Sequence, residues 1–195
     1  MVIYTQITKP EDLPEEALWL PGLQTESVKH RKAWKQPLLV THIDSIKHYD
    51  YDITELLNEK IYCVGPKTYD RLVAMGFTKV EMHGLVAGDI KINSHPLTPC
   101  TWLHGDKFAK DFGKYAGVTD IQTYKSSVNK ESLQKIATMQ NQSLYRNSSL
   151  YIYSPTVLEV LQTGCTWKLF HTESCTPNPD KWSQIKSFYP GSEFD

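Results

Sequence analysis

No apolar run in this chain approaches the ~18–20 residues that a membrane-spanning helix needs. Nor is there an excess of either charge. Lysines and arginines number 21 against 22 acidic residues, for a net charge of −1. That balance argues against a nucleic-acid or membrane-surface partner held by bulk charge. Cysteine is scarce: Cys63, Cys100, Cys165 and Cys175 show no CxxC pairing. Cys63 lies in a strand-like run and reads as a small buried hydrophobe. The N-terminus lacks the basic flank and apolar core of a signal peptide. The expectation is a cytoplasmic, reduced protein. There is no GxSxG, HExxH, Walker loop or GxGxxG. Among the seven histidines, none pairs at metal spacing near a third ligand. No metal site is expected. Low-complexity segments and short-period repeats are also missing.

What is present is an ordinary soluble composition, 40% hydrophobic and 22% charged over 195 residues. This is enough for one large domain or two small ones. The most informative stretch is KIYCVGPKTYDRLVAMGF, Lys60 to Phe77. It reads as a buried strand, a Gly-Pro turn and a helix stopped at Gly76. Pro66 suits the first helical position, where a missing N–H costs nothing, and Gly76 suits a left-handed stop. The turn leaves backbone N–H groups unpaired at the helix start, with Thr68 in the first turn, a corner suited to anions. The same grammar returns in SLYIYSPTVLEVLQ, Ser149 to Gln162. Two such segments suggest two similar halves facing a shared ligand.

Along the chain, strands are expected at Val2–Thr5, Ala17–Leu23, Gln36–His42, Lys60–Val64, Val80–His83, Cys100–His104, Ile121–Tyr124, Leu150–Tyr153 and Trp167–His171. Helices are expected at Ile53–Asn58, Lys67–Met75, Asp106–Tyr115, Lys130–Met139, Pro155–Leu161 and Asn178–Phe188. Gly84–Ile92 reads as a loop or weak helix, and Lys125–Lys130 as a polar segment. The near-continuous apolar run QPLLVTH is typical of a strand covered on both faces. Alternating strands and helices argue for parallel sheets with crossover helices.

Several residues fall at expected strand ends, the edge where open α/β sheets bind ligands. His42 and His104 each read either as such a ligand-facing group or as a hydrogen-bonded loop histidine. Thr5, Thr41, Thr68 and Ser154 are neutral hydroxyl donors that could bind carboxylates; their plainer role is capping. Tyr124 ends a strand before the polar stretch, one of eleven tyrosines. Asp106 reads most simply as an N-cap.

Taken in order, these motifs resemble the uroporphyrinogen-III synthase family. That family has an early strand ending Thr-Arg-Pro, here Ile3–Lys9, IYTQITK. A strand ending Phe-Thr-Ser corresponds to LLVTHIDSI, Leu38–Ile46. Val-Gly-x-x-Thr corresponds to VGPKT, Val64–Thr68, and Arg-Gly-Asp-Lys to LHGDK, Leu103–Lys107. A strand-ending Tyr followed by polar residues corresponds to TYKSS, Thr123–Ser127, and Ser-Pro-Ser to YSPT, Tyr153–Thr156. The likeness covers residues 2–161. Beyond it, KLFHTES (Lys168–Ser174) is either the remnant of an Ile-Gly-x-Thr-Thr turn, with Thr172 or Ser174 as its hydroxyl, or that unit is deleted. Gln6 and His104 replace family arginines, and His42 a family serine.

The resemblance implies a fold of two doubly wound parallel-sheet α/β domains joined by a two-stranded linker. One domain would hold residues 1–20 and 128–195, the other 24–125. It implies a cofactor-free enzyme that cyclises linear hydroxymethylbilane, inverts the terminal pyrrole ring through a spiro intermediate and releases water. The degenerate alternative binds a tetrapyrrole or another acidic small molecule without turnover. Tyr124 falls on the family's candidate tyrosine and is expected to donate a proton or orient the leaving group. Thr5, Thr41, His42, Gly65, Lys67, Thr68, His104, Ser154 and Thr156 are the expected substrate-binding positions. The partner is a small polycarboxylate bound by a monomer, with no nucleic acid and no membrane.

Overall fold

The structure, a computed structural model, describes residues 1–7, 9, 12–30, 34, 37–92, 97–142, 148–162, 168–171 and 183–185. The chain divides into two compact units. One holds the described residues of Met1–Gln24 and Ser127–Asp195, the other those of Thr25–Ser126.

In chain order, β1 (Val2–Tyr4) pairs in parallel with β2 (Ala17–Trp19). β3 (Leu23–Ser27) follows, a strand beyond the expected end at Leu23. The second unit then begins with β4 (Leu38–Val40), a Leu-Leu-Val run buried at every position. Two short helices, α1 (Asp44–Lys47) and α2 (Ile53–Leu56), lead to β5 (Lys60–Cys63). α3 (Pro66–Ala74), β6 (Lys79–Met82) and a 3-10 turn at Ala87–Asp89 come next. β7 (Cys100–His104) and β8 (Val118–Gln122) complete a five-stranded sheet of order β6-β5-β4-β7-β8. Every pairing in it is parallel.

The ends of α3 follow from two glycines. Gly65 stands at φ +76° before Pro66, and Gly76 at φ +94° after the helix. The Gly76 N–H reaches Val73 O at 2.9 Å and the Phe77 N–H reaches Leu72 O at 3.2 Å. This paired closure satisfies the last carbonyls and turns buried Phe77 back beside buried Leu72.

Strand alternation sends the two faces of this sheet to two cores. Leu38, Val40, Ile61, Cys63 and Leu103 pack with Ile46 of α1, Leu56 of α2 and Leu72 of α3. Leu39, Tyr62, Cys100 and Trp102 pack with Ile90, Ile92, Leu97 and Phe112. The second face is therefore covered by irregular chain, and helices cover only the first among the described residues. The expected helix Asp106–Tyr115 does not form. Glycines at 105 and 113 weaken it, and Phe112 is drawn fully into the sheet face.

β9 (Tyr124–Val128) lies beside β3 as a two-stranded sheet of its own. The polar stretch after Tyr124 is thus strand, and Ile121–Tyr124 is not one strand but the junction of two. The first unit resumes with α4 (Lys130–Gln140), capped by Asn129, whose side chain accepts from the Ser132 N–H at 3.0 Å. β10 (Ser149–Ile152), α5 (Pro155–Gln162), β11 (Lys168–His171) and β12 (Ser183–Ile185) complete it. Its sheet order is β12-β11-β10-β1-β2, parallel except where β12 runs antiparallel to β11. Ile3, Leu150 and Ile152 meet Leu133 and Ile136 of α4 and Val157 and Leu161 of α5.

The expected helix Asn178–Phe188 is, in its described part, strand β12. Pairing along the β11 edge satisfies backbone groups that a weak local helix preference does not. The rest of that segment lies outside the described residues, as do Thr172 and Ser174. No described helix is long and apolar enough to cross a membrane.

Candidate functional site

The strand order of the Thr25–Ser126 unit places a topological switch between β4 and β7. From β4 the chain moves outward through β5 and β6; from β7 it moves the other way to β8. Ligands in such sheets bind outside the carboxyl ends at this point. The register sets Val40 opposite Leu103, so Thr41 and His42 leave β4 beside His104 and Gly105 leaving β7. The Trp102 indole N–H donates across this gap to Thr41 Oγ1 at 3.4 Å.

Tyr124 sits at the head of β9, just past the end of β8, and is 7% exposed. Its ring lies over Gly105. A Cβ added there would overlap the ring carbons and stand 2.8 Å from the phenol oxygen. The site therefore requires a residue without a side chain at 105. The ring is flanked by His48, at 5.6 Å between centroids, and by His42, at 6.4 Å. His48 follows α1 and is fixed at both nitrogens: Nε2 is 2.8 Å from Thr25 Oγ1 and Nδ1 is 2.8 Å from Ser27 Oγ. It ties β3 to the end of α1 and forms one wall beside Tyr124. Asp106, expected to cap a helix, instead accepts the Ser126 N–H of β9 at 2.8 Å.

His42 is half-exposed and Asp44 is buried. The Asp44 backbone N–H donates to His42 Nδ1 at 3.3 Å, which places the proton of the neutral ring on Nε2. The Asp44 carboxylate Oδ2 lies 3.5 Å from the same Nδ1. The His42 pKa is lowered, mainly by the packing that strips water from the ring. Asp44 opposes this, and Arg71, Lys47 and Lys67 add to it.

His104 is 7% exposed and packed on Trp102 at 4.0 Å and edge-on to Phe108 at 5.4 Å. Its Nδ1 donates to Gly105 O at 2.7 Å. It is a packed group that fixes the β7 exit, closer to the plain histidine role than to an open ligand group.

At the β5 exit, the Gly65 N–H donates to Gly84 O at 2.8 Å, so that donor is engaged within the protein. Thr68 is half-buried in the first turn of α3, and Lys67 is exposed. In the other unit, Thr5 and Ser154 leave β1 and β10, which neighbour each other across that sheet's own switch. Thr5 is buried and its hydroxyl donates to Tyr151 O at 3.0 Å, so it too is engaged in the sheet. Ser154 and Thr156 are half-buried at the start of α5, where Ser154 O accepts the Leu158 N–H at 2.9 Å.

The Thr25–Ser126 unit thus brings Thr41, His42, His104 and Tyr124 to one edge, with Gly65, Lys67 and Thr68 at the next strand. Sequence reasoning missed Gly105 as the seat of the phenol, His48 as its wall, and Asp44 and Arg71 near His42. The spacing His42-x-Asp44 in LLVTHIDSI was a legible signal for Asp44. Arg71, one helical turn beyond Lys67, was legible only once α3 was assigned. Among the described residues no group of three or more His, Cys, Asp or Glu could hold a metal ion. Cys63 and Cys100 are buried, and burial pushes each thiol up to about 11, away from nucleophilic use.

No protein-family model matches this sequence, and no curated protein does. Among solved structures, the chain matches the crystal structure of uroporphyrinogen-III synthetase from Helicobacter pylori 26695 with a TM-score of 0.59. The match covers 87% of this chain and 82% of that one, at 9% sequence identity. The two share a fold. At that identity the likeness speaks for the α/β architecture and not for any particular residue of the site.

Proposed function

We propose that this chain is a cofactor-free cyclising lyase of the uroporphyrinogen-III synthase type. It takes linear hydroxymethylbilane, inverts the terminal pyrrole ring and closes the macrocycle with loss of water. The observation that carries this reading is Tyr124, buried at the carboxyl edge of a parallel sheet over a glycine that makes room for it. The ordered motifs from Ile3 to Thr156 and the shared fold support it.

The chemistry asks little of side chains beyond placement. The bilane closes unaided to the unrearranged isomer, so the protein's task is to hold one conformer and deny the other. The departing hydroxyl leaves as water once it receives a proton, and a phenol O–H placed beside it can supply one. Tyr124 is that donor. Thr41 and Thr68, with Lys67 and His42, bind carboxylates of the substrate.

A second reading is a homologue that binds a tetrapyrrole without turnover. Gln6, His42 and His104 in place of family residues favour it, as does the packed state of His104. Incubation with freshly made hydroxymethylbilane, followed by separation of isomers, decides between them. Type III product above the spontaneous background supports the enzyme. Type I alone at the spontaneous rate, with uroporphyrin III still bound, supports the second reading.

A further inference from the structure

Three features around His42 belong together. Asp44 is 4% exposed, and its Oδ2 is buried without a hydrogen-bond partner among the described residues. That oxygen faces His42 Nδ1 at 3.5 Å, while Nδ1 accepts the backbone N–H of Asp44. Charged groups near the ring come from each element around it: Asp44 and Lys47 on α1 and Lys67 and Arg71 on α3, with the Tyr124 phenol on β9. Lys47 also lies 3.8 Å from Asp44 Oδ1. His42 Nε2 carries the ring proton and has no partner among the described residues, and the side chain is 38% exposed.

We infer that His42, backed by Asp44 and joined by Lys67 and Arg71, is a carboxylate-binding subsite that takes up a proton when its ligand arrives. The ligand class, a polycarboxylate, is taken from the reading above. In the empty site desolvation of the ring disfavours the imidazolium, and Arg71, Lys47 and Lys67 add to it. A carboxylate at Nε2 offsets Lys67 and Arg71 and makes the imidazolium favourable. The new Nδ1 proton then has an acceptor already in place, the unsatisfied Asp44 Oδ2. One proton moves from solvent to Nδ1, no covalent bond in the ligand changes, and Nδ1 exchanges the Asp44 N–H that it accepts for a bond that it donates to Asp44 Oδ2.

The test is calorimetric titration near pH 7 in buffers of different ionisation enthalpy. The probes are uroporphyrin III and, separately, 1,2,3,4-butanetetracarboxylate. Wild-type protein is expected to take up a large fraction of one proton per bound probe. His42→Gln should bind without uptake. Arg71→Gln, a substitution on the surface of α3 that spares the fold, should bind about tenfold more weakly and take up less, because its free imidazole is already easier to charge. Uroporphyrin bound with no uptake, or uptake undiminished in His42→Gln, overturns the subsite and leaves the tetrapyrrole reading standing. His42-dependent uptake with the small tetracarboxylate and no binding of uroporphyrin supports the subsite and removes the tetrapyrrole reading. Binding of neither probe overturns the subsite.

Discussion

Gly105→Ala is the sharpest perturbation this fold offers. The backbone at 105 is not in the left-handed region, so alanine meets no conformational penalty of its own. Its methyl group would instead stand 2.8 Å from the Tyr124 oxygen and nearer still to the ring carbons. Comfortable carbon contacts begin at about 3.5 Å, so the ring or the chain must yield by roughly 1 Å. Overpacking of this kind costs about 1–3 kcal/mol. The same shift displaces a group whose usefulness depends on placement, and a misplacement of about 1 Å can lower turnover by a factor of about 100. Urea unfolding measures the first effect, and the rate of type III formation the second. A double-mutant cycle isolates the cause: in a Tyr124→Ala background the added methyl finds empty space, and the stability cost of Gly105→Ala should vanish. An alanine variant with wild-type midpoint and wild-type rate would refute the placement of Tyr124 over Gly105.

Three other outcomes follow from the same structure. Gly76→Ala should destabilise the protein by about 1–2 kcal/mol through backbone strain alone, since φ is +94° and the nearest atom to a new Cβ is 3.6 Å away; chemical denaturation checks this. Cys63 and Cys100, buried and raised to about 11, should resist a thiol reagent at neutral pH until denaturant is added. His30 and His42 both have folded pKa values below the unfolded value of about 6.5, each chiefly through desolvation. Their contribution to stability is complete above about pH 6.5 and falls as pH drops from there through the folded values, because the unfolded chain binds the extra protons. Denaturation midpoints between about pH 7.5 and 5 should decline, and more shallowly in His42→Gln.

Much of the fold was legible because local chemistry and tertiary need agreed. Lys60–Cys63, the Gly-Pro turn and the Gly76 stop were readable since each residue type has one strong backbone preference. The expected strand Cys100–His104 forms with those bounds, and the expected helix Lys130–Met139 forms as Lys130–Gln140. The failures are instructive. The segment from Asp106 has the lysines and aromatics of a helix, yet Phe112 and Tyr115 serve the sheet face as irregular anchors. β3 and β9 are polar strands with no apolar alternation, held by pairing with each other, a partner that sequence does not display. Within the site, Thr41 and His42 were offered by the end of a strand, whereas Tyr124 was offered by the family resemblance and heads β9 rather than ending a strand. Gly105 and His48 were offered by neither, because their roles lie in what they touch: a ring needing room, and two hydroxyls on another strand.

The most direct test of the central claim compares wild type with Tyr124→Phe on freshly made hydroxymethylbilane, reading the ratio of type III to type I product. Removal of one hydroxyl leaves the ring and its packing in place, so the variant should fold and bind. The account predicts mainly type III from wild type and a marked shift toward type I from the variant. Equal ratios and equal rates from the two proteins would contradict it.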